Sequence, residues 1–219
     1  MPVKDFMTSR VVYVSPDTTV AHASDKMKAH DLRRLPVIEN DRLVGLVTEG
    51  TMADATPSKA TSLSIYEMNY LLNKTRIRDI MIRDVITVSQ DASLEDAIYI
   101  MMKHKIGVLP VVDNDQLYGI ITDRDIFKAF LEVSGYGSEG LRLNILLNDT
   151  IGSLEKVVRV ISDVNLNIHR TVVANHKSGK TLVEIQIEGQ IDTHTLQKAL
   201  ENQGITVISI IKTEAKAGF

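Results

Sequence analysis

Gly119-Ile120-Ile121-Thr122-Asp123-Arg124-Asp125 is the stretch whose reading decides the fold. A short β-branched run ends in the Thr122 hydroxyl. Asp125 follows three residues later, in what the pattern predicts to be the first turn of a helix beginning near Ile126. Two readings of that spacing stay open. Thr-x-x-Asp before a helix is an ordinary N-cap arrangement, in which hydroxyl and carboxylate satisfy amides at the helix start. The same groups also suit a ribose: a carboxylate accepts from both sugar hydroxyls, the threonine hydroxyl donates or accepts beside it, and Arg124 offers a fork that fits phosphate. Unpaired amides at the helix start add a weak preference for anions.

The chain contains this stretch nearly twice. An offset of 74 residues aligns Asp5 to Met52 with Asp79 to Ile126 without a gap. Met7 falls on Met81, Val14-Ser15 on Val88-Ser89, Met27 on Met101 and His30 on His104. Leu35-Pro36-Val37 falls on Leu109-Pro110-Val111, Asn40-Asp41 on Asn114-Asp115, Gly45 on Gly119 and Thr48 on Thr122. Each copy predicts β-α-β-β-α. A short strand (Val11 to Val14, Val85 to Val88) leads through Ser-x-Asp into an amphipathic helix, whose apolar stripe in the second copy is Leu94, Ala97, Ile98, Met101 and Met102. A strand at Leu35 to Ile38 or Leu109 to Val112, a tight Asn-Asp turn, a strand at Leu43 to Val47 or Leu117 to Ile121, and a closing helix complete the unit. The methionines and the two equivalent histidines read as core packing and helix ends.

Between the copies Ala55-Thr56-Pro57-Ser58 reads as loop, and Leu63, Tyr66, Met68, Tyr70, Leu71 and Leu72 predict a connecting helix within 61–78. The first copy thus occupies 1–60 and the second 79–133. Ser134 to Gly140 is a flexible hinge by composition. Beyond it the pattern changes to β-α-β-β-α-β over 141–213, with a tail at 214–219. Its strands are Leu141 to Leu147, Asn167 to Val173, Thr181 to Ile187 and Thr206 to Lys212; its helices carry Leu154, Val157, Val158 and Ile161, and Thr193 to Asn202.

Composition narrows the function classes. The chain has 219 residues, 44% of them hydrophobic, a formal charge of −3 and no cysteine. That supports real cores, offers no nucleic-acid footprint, and excludes disulfides, thiolate metal sites and cysteine nucleophiles. No segment approaches a membrane span and the N-terminus lacks an apolar signal core, so a cytoplasmic protein is expected. Asp123 with Asp125, or Asp113 with Asp115, could be imagined as acid pairs or metal ligands. No activated nucleophile accompanies them, the histidines show no ligand spacing, and no catalytic or metal site is expected.

The two copies closely resemble a tandem CBS-domain pair, the Bateman module, and the Gly119 to Asp125 heptad resembles that family's ribose-binding signature. The C-terminal unit, with Asn148-Asp149, Gly152 and Asn167-Ile168, resembles an ACT domain, although Ile151 stands where that family usually has proline. The order CBS-CBS-ACT is similar to the bacterial acetoin-utilisation regulatory proteins. The fold class so implied is α+β: two CBS repeats packed as a pair, plus a ferredoxin-like ACT domain.

The resemblance implies a non-catalytic regulator that senses adenine nucleotides, AMP, ATP or an adenosyl compound such as S-adenosylmethionine, with the nucleotide a regulatory ligand and no cofactor required. One cleft would join Thr122, Arg124 and Asp125 to Thr8, Ser9, Arg10 and Val11, with Leu32, Arg33, Arg34 and Pro36 nearby and the phosphates on the two arginines. A second would join Thr48 to Val85, Ile86 and Thr87, with Gly107, Val108 and Pro110. There the equivalents of Arg124 and Asp125 are Gly50 and Thr51, and a threonine cannot hold both ribose hydroxyls, so one good site and one weak or empty site are expected. An ACT domain would take an amino acid or similar small effector near Asn148, Asp149, Ile151, Gly152 and Asn167; Asp149 and Ser153 read equally as helix caps. Homodimers are expected, with an unnamed regulated partner protein. A dimerisation or assembly module with vestigial ligand sites is the alternative reading.

Overall fold

The structure, a computed structural model, describes residues 1–55 and 64–216; Thr56, Pro57, Ser58 and Leu63 of the predicted loop and helix, and the end of the tail, lie outside the described residues. It divides into two compact units, Met1–Phe127 and Lys128–Phe219.

In the first unit each copy supplies one hairpin. After α1 (Val20–Ala29) come β1 (Arg34–Glu39), β2 (Arg42–Thr48) and the short α2 (Glu49–Asp54); after α3 (Ile65–Lys74), α4 (Ile77–Ile80) and α5 (Leu94–His104) come β3 (Val108–Asp113), β4 (Gln116–Thr122) and α6 (Asp123–Val133). Asn40, Asp41, Asn114 and Asp115 all adopt positive φ, between 50° and 64°, so both hairpins close on two left-handed residues, the turn whose twist matches the strands. The sheet runs β1-β2-β4-β3. Among the described residues the hairpins pair with each other at Arg42 and Gln116, which are themselves equivalent in the 74-residue alignment, so a pseudo-two-fold axis passes there.

The leading strand predicted for each copy is reduced to one parallel bridge, Val14 to Val37 and Val88 to Val111. Proline explains the truncation. Val14 N–H donates to the Pro36 carbonyl and Ile38 N–H to the Val14 carbonyl. The next bonds on either side would need N–H groups from Pro36 and Pro16, which have none. In the second copy Pro110 ends the ladder on one side, and on the other the Gln90 amide turns to Asp113 Oδ2 at 3.1 Å.

The segments ahead of these bridges are exchanged between the copies. Thr8 pairs with Ile120 of β4, and the Val3 and Lys4 amides donate to the carbonyls of Ala92 and Gln90. Ile82 pairs with Leu46 of β2, and the Ile77 and Arg78 amides donate to Thr18 and Pro16. The equivalent residues Val3 and Ile77 are both 0% exposed, each worth about 1.5–3 kcal/mol of burial. Gly119 and Gly45 make the crossings possible: a Cβ on either would stand 2.5 or 2.6 Å from the Sδ of Met7 or Met81. The α5 stripe buries Leu94, Ala97 and Met101, but Met102, placed on it by the sequence pattern, is 74% exposed, one position beyond the face that Met101 turns inward.

The second unit has β5 (Gly140–Leu147), α7 (Ser153–Asp163), β6 (Asn167–Asn175), β7 (Thr181–Glu188), α8 (Thr193–Glu201) and β8 (Thr206–Thr213), an antiparallel sheet ordered β6-β7-β5-β8. That is the βαββαβ arrangement. Strict alternation in β5 turns Leu141, Leu143, Ile145 and Leu147 onto one face, where they pack with Val157, Val160 and Ile161 of α7 and Leu196 and Leu200 of α8. Leu154 and Val158 stay half exposed, so the buried stripe of α7 lies one step round from the predicted one. The glycine-rich stretch read as a hinge is laid against the other face. Gln186, 2% exposed, donates to Thr213 Oγ1 (2.8 Å) and the Ser138 carbonyl (3.3 Å), and the Lys216 amide donates to the Gly137 carbonyl. Among the described residues no helix is long and apolar enough to cross a membrane.

Candidate functional site

Both copies end their hairpin in the same device and use it differently. At the start of α6 the Thr122 N–H and hydroxyl both donate to Asp125 Oδ2, at 2.8 and 2.7 Å, and the Asp125 N–H returns to Thr122 Oγ1 at 3.4 Å. This cap brings the helix start forward to Asp123 from the expected Ile126. One carboxylate oxygen is thereby occupied; Oδ1 receives no hydrogen bond among the described residues. At the start of α2 the Thr51 hydroxyl accepts from the Thr48 N–H (2.9 Å) and donates to the Thr48 carbonyl (3.0 Å), while the Thr51 N–H donates to Thr48 Oγ1 (3.2 Å). Its single proton and one lone pair are committed to the cap. The two readings of Thr-x-x-Asp are therefore compatible in the second copy, where a carboxylate has an oxygen to spare, and in conflict in the first.

The exchange of leading segments builds a cleft beside each helix start. The first, about 460 Å³, is lined by Thr8, Arg10 and Val11, by Leu32, Arg33, Arg34 and Pro36, and by Thr122, Arg124 and Asp125. Ser9 is exposed and lies outside that lining. The sequence reading missed Val12, Asp31, Ile120, Asp123 and Phe127. Ile120 was recoverable, since it lies within the Gly119 to Asp125 stretch, where the structure bridges it to Thr8; Asp31, at φ 51° just past α1, carries no sequence signal of its own.

The second cleft, about 420 Å³, is lined by Thr48, Gly50, Val85, Ile86, Gly107 and Val108. Thr87 and Pro110 do not reach it; Pro110 is buried within β3. Arg33 and Arg34, read as belonging to the first cleft, line this one too, joined by Glu49, Asp84 and Lys105. Arg33 is 70% exposed with its Nε 3.8 Å from Glu49 Oε2, whereas Arg34 is part-buried and donates from Nη1 to the Gly107 carbonyl at 3.1 Å.

In the second unit Asn148, Asp149, Ile151, Gly152 and Asn167 are all exposed. Asp149 does not cap α7: the cap position is Gly152, at φ 83° with no side-chain bond, and the Ser153 hydroxyl pairs with Thr150 Oγ1 at 2.7 Å. Asn167 Nδ2 lies 3.4 Å from Glu188 Oε2. A cleft of about 990 Å³ in this unit is lined instead by Gly140, His169, Glu188, Asp192, Lys212 and their neighbours. Among the described residues no group of three or more His, Asp or Glu is placed to hold a metal ion.

Two hairpins related by a pseudo-two-fold axis, with leading segments exchanged and a cleft beside each helix start, define a tandem CBS pair. The CBS domain family matches residues 3–57 and 77–132, and the chain belongs to that family. The CBS domain-containing protein YhcV of Bacillus subtilis (strain 168) is 32% identical over 124 residues, 57% of this chain and 81% of that protein. Among solved structures, a protein from Vibrio cholerae assigned to acetoin utilization (AcuB) is 32% identical with a TM-score of 0.53, covering 63% of this chain and 98% of its own. Protein MJ1225 from Methanocaldococcus jannaschii, a proposed archaeal homolog of g-AMPK, is 31% identical with a TM-score of 0.52, over 59% of this chain and 47% of its own.

Proposed function

We propose that the chain is a non-catalytic regulator that senses an adenine nucleotide or other adenosyl compound through the cleft at Asp125. The observation that carries this reading is the open Asp125 Oδ1, set on a helix start inside a cleft whose size suits a small ligand and whose wall holds four arginines, Arg10, Arg33, Arg34 and Arg124. Ribose hydroxyls would donate to the carboxylate and the phosphates would meet the guanidinium groups. The Thr122 hydroxyl has the Asp125 carboxylate beside it, but both are committed to the cap of α6, which supports recognition over turnover. Because the cleft takes residues from both copies, a ligand that prefers one arrangement of the two would shift their equilibrium, and α6, which starts at the Asp125 cap and contains the boundary between the two units, is the route by which the shift would reach the second unit. That second unit is read as an ACT domain that takes an amino acid or similar effector, and the role as one in acetoin catabolism, by likeness to the V. cholerae protein.

Titration calorimetry of nucleotide-stripped protein with AMP, ATP and S-adenosylmethionine tests the reading. Saturable binding at about one ligand per chain is expected; no binding by any of the three would remove it. The assembly-module reading is favoured by one observation: α5 exposes Tyr99 and Met102, and α6 exposes Phe127 and Phe130, each between 64% and 74%. A homodimer burying these side chains is expected under either reading, and sedimentation measures it.

A further inference from the structure

The two clefts are not independent, because Arg33 and Arg34 line both. Arg34 is held at their junction by the Gly107 carbonyl. Gly107 is the counterpart of Arg33, and its lack of a side chain lets Arg34 and Asp123 close in on the backbone at the junction: a Cβ there would stand 2.9 Å from Arg34 Nη2 and 2.7 Å from Asp123 Oδ2. Beyond the junction the charge pattern inverts. The residue that follows the first helix of each copy in a left-handed conformation is Asp31 on the first cleft and Lys105 on the second, at φ 51° and 54°. Lys105 is exposed and has no ion pair among the described residues, and one of the second cleft's two carboxylates, Glu49, already faces Arg33. The second cleft thus has cations leading into it from the first, and Thr51 in place of the Asp125 carboxylate that would hold a sugar.

Resting on the reading of the first cleft as the nucleoside site, we infer that the second cleft receives the terminal phosphates of that same ligand. The ligand class is an adenosine carrying a chain of two or more phosphates, with its ribose on Asp125, its first phosphate on Arg33 and Arg34, and its tail passing Gly107 toward Lys105. One polyphosphate ligand then fills both clefts, and a monophosphate fills the first alone.

Calorimetry with adenosine, AMP, ADP and ATP on the full chain, compared with Lys105→Gln and the charge-reversing Lys105→Glu, tests this. Affinity should rise along the phosphate series, with ATP at least about tenfold tighter than AMP and one ATP per chain. Lys105→Gln should weaken ATP by about threefold to fivefold and leave AMP unchanged, and Lys105→Glu should weaken ATP further. Equal affinity for AMP and ATP, two ATP per chain, or an ATP affinity untouched by both variants would overturn the inference while leaving the nucleoside site standing. Failure of all four ligands to bind wild-type protein would overturn both.

Discussion

The two clefts differ by one side chain at the point that matters most. Folding asks the same thing of both helix starts, a reciprocal cap across three residues, and Thr51 and Asp125 each supply it. A hydroxyl commits its proton and one of its two lone pairs in doing so, and what remains cannot accept from both hydroxyls of a ribose. A carboxylate has two oxygens and caps with one of them. The two copies can therefore share a fold while only one keeps a spare carboxylate oxygen, the proposed ribose acceptor, because stability depends on the cap and the proposed binding on the spare oxygen.

The largest effect that would break this comparison is on binding. Asp125→Ala should weaken nucleotide binding by about 1.5–3 kcal/mol, the range for hydrogen bonds to a charged group, measured by calorimetry. Thr51→Ala should leave nucleotide affinity unchanged while lowering stability by about 1 kcal/mol through the lost cap, measured by urea denaturation. Equal losses of affinity at the two positions would end the argument for asymmetry. A second pair of substitutions sharpens it from the other side. Gly119→Ala and Gly45→Ala place a methyl against Met7 and Met81 at nearly identical separations, so each should cost about 1–3 kcal/mol of stability. Matching losses would show that the folding devices stay symmetric where the ligand devices do not.

How far the sequence carried the fold can be judged residue by residue. The hairpins were legible because Asn40-Asp41 and Asn114-Asp115 are turn residues between apolar runs, and the C-terminal unit because its apolar segments follow in the order β-α-β-β-α-β, with β5 alternating apart from Leu146. The loss of the leading strands was legible in principle, since Pro16, Pro36 and Pro110 are plain in the sequence; it needs the pairing partner to be known before a missing N–H has a consequence. Met102 failed for a subtler reason. It sits four residues after Ile98 and so satisfies the period, yet the buried face of α5 ends at Met101. For the site, Thr122 and Asp125 stood out by spacing, whereas the exchange of leading segments came from the family resemblance. The double role of Arg33 and Arg34 could not be read at all. It depends on the pseudo-two-fold axis bringing Arg34 to Gly107, a contact between residues far apart in the chain that no local pattern announces.

The smallest expected effect is also the most discriminating. Thr51→Asp restores to the first copy the residue type that the second copy has, and an aspartate at this position can cap α2 as Asp125 caps α6, so stability should change by less than about 0.5 kcal/mol. Binding should change in number more than in strength. AMP should now titrate with a second, weaker phase, because the new carboxylate has a spare oxygen while Gly50 still supplies no guanidinium beside it. On the inference that its tail fills the second cleft beside Arg34 and Lys105, ATP should remain at one per chain. A second AMP phase without a second ATP would show that the missing carboxylate keeps the second cleft from holding a nucleoside of its own and that the phosphate tail fills the space. No second phase with either ligand would mean that the cleft at Thr48 lacks more than a carboxylate, and the single-residue account of the asymmetry would fall.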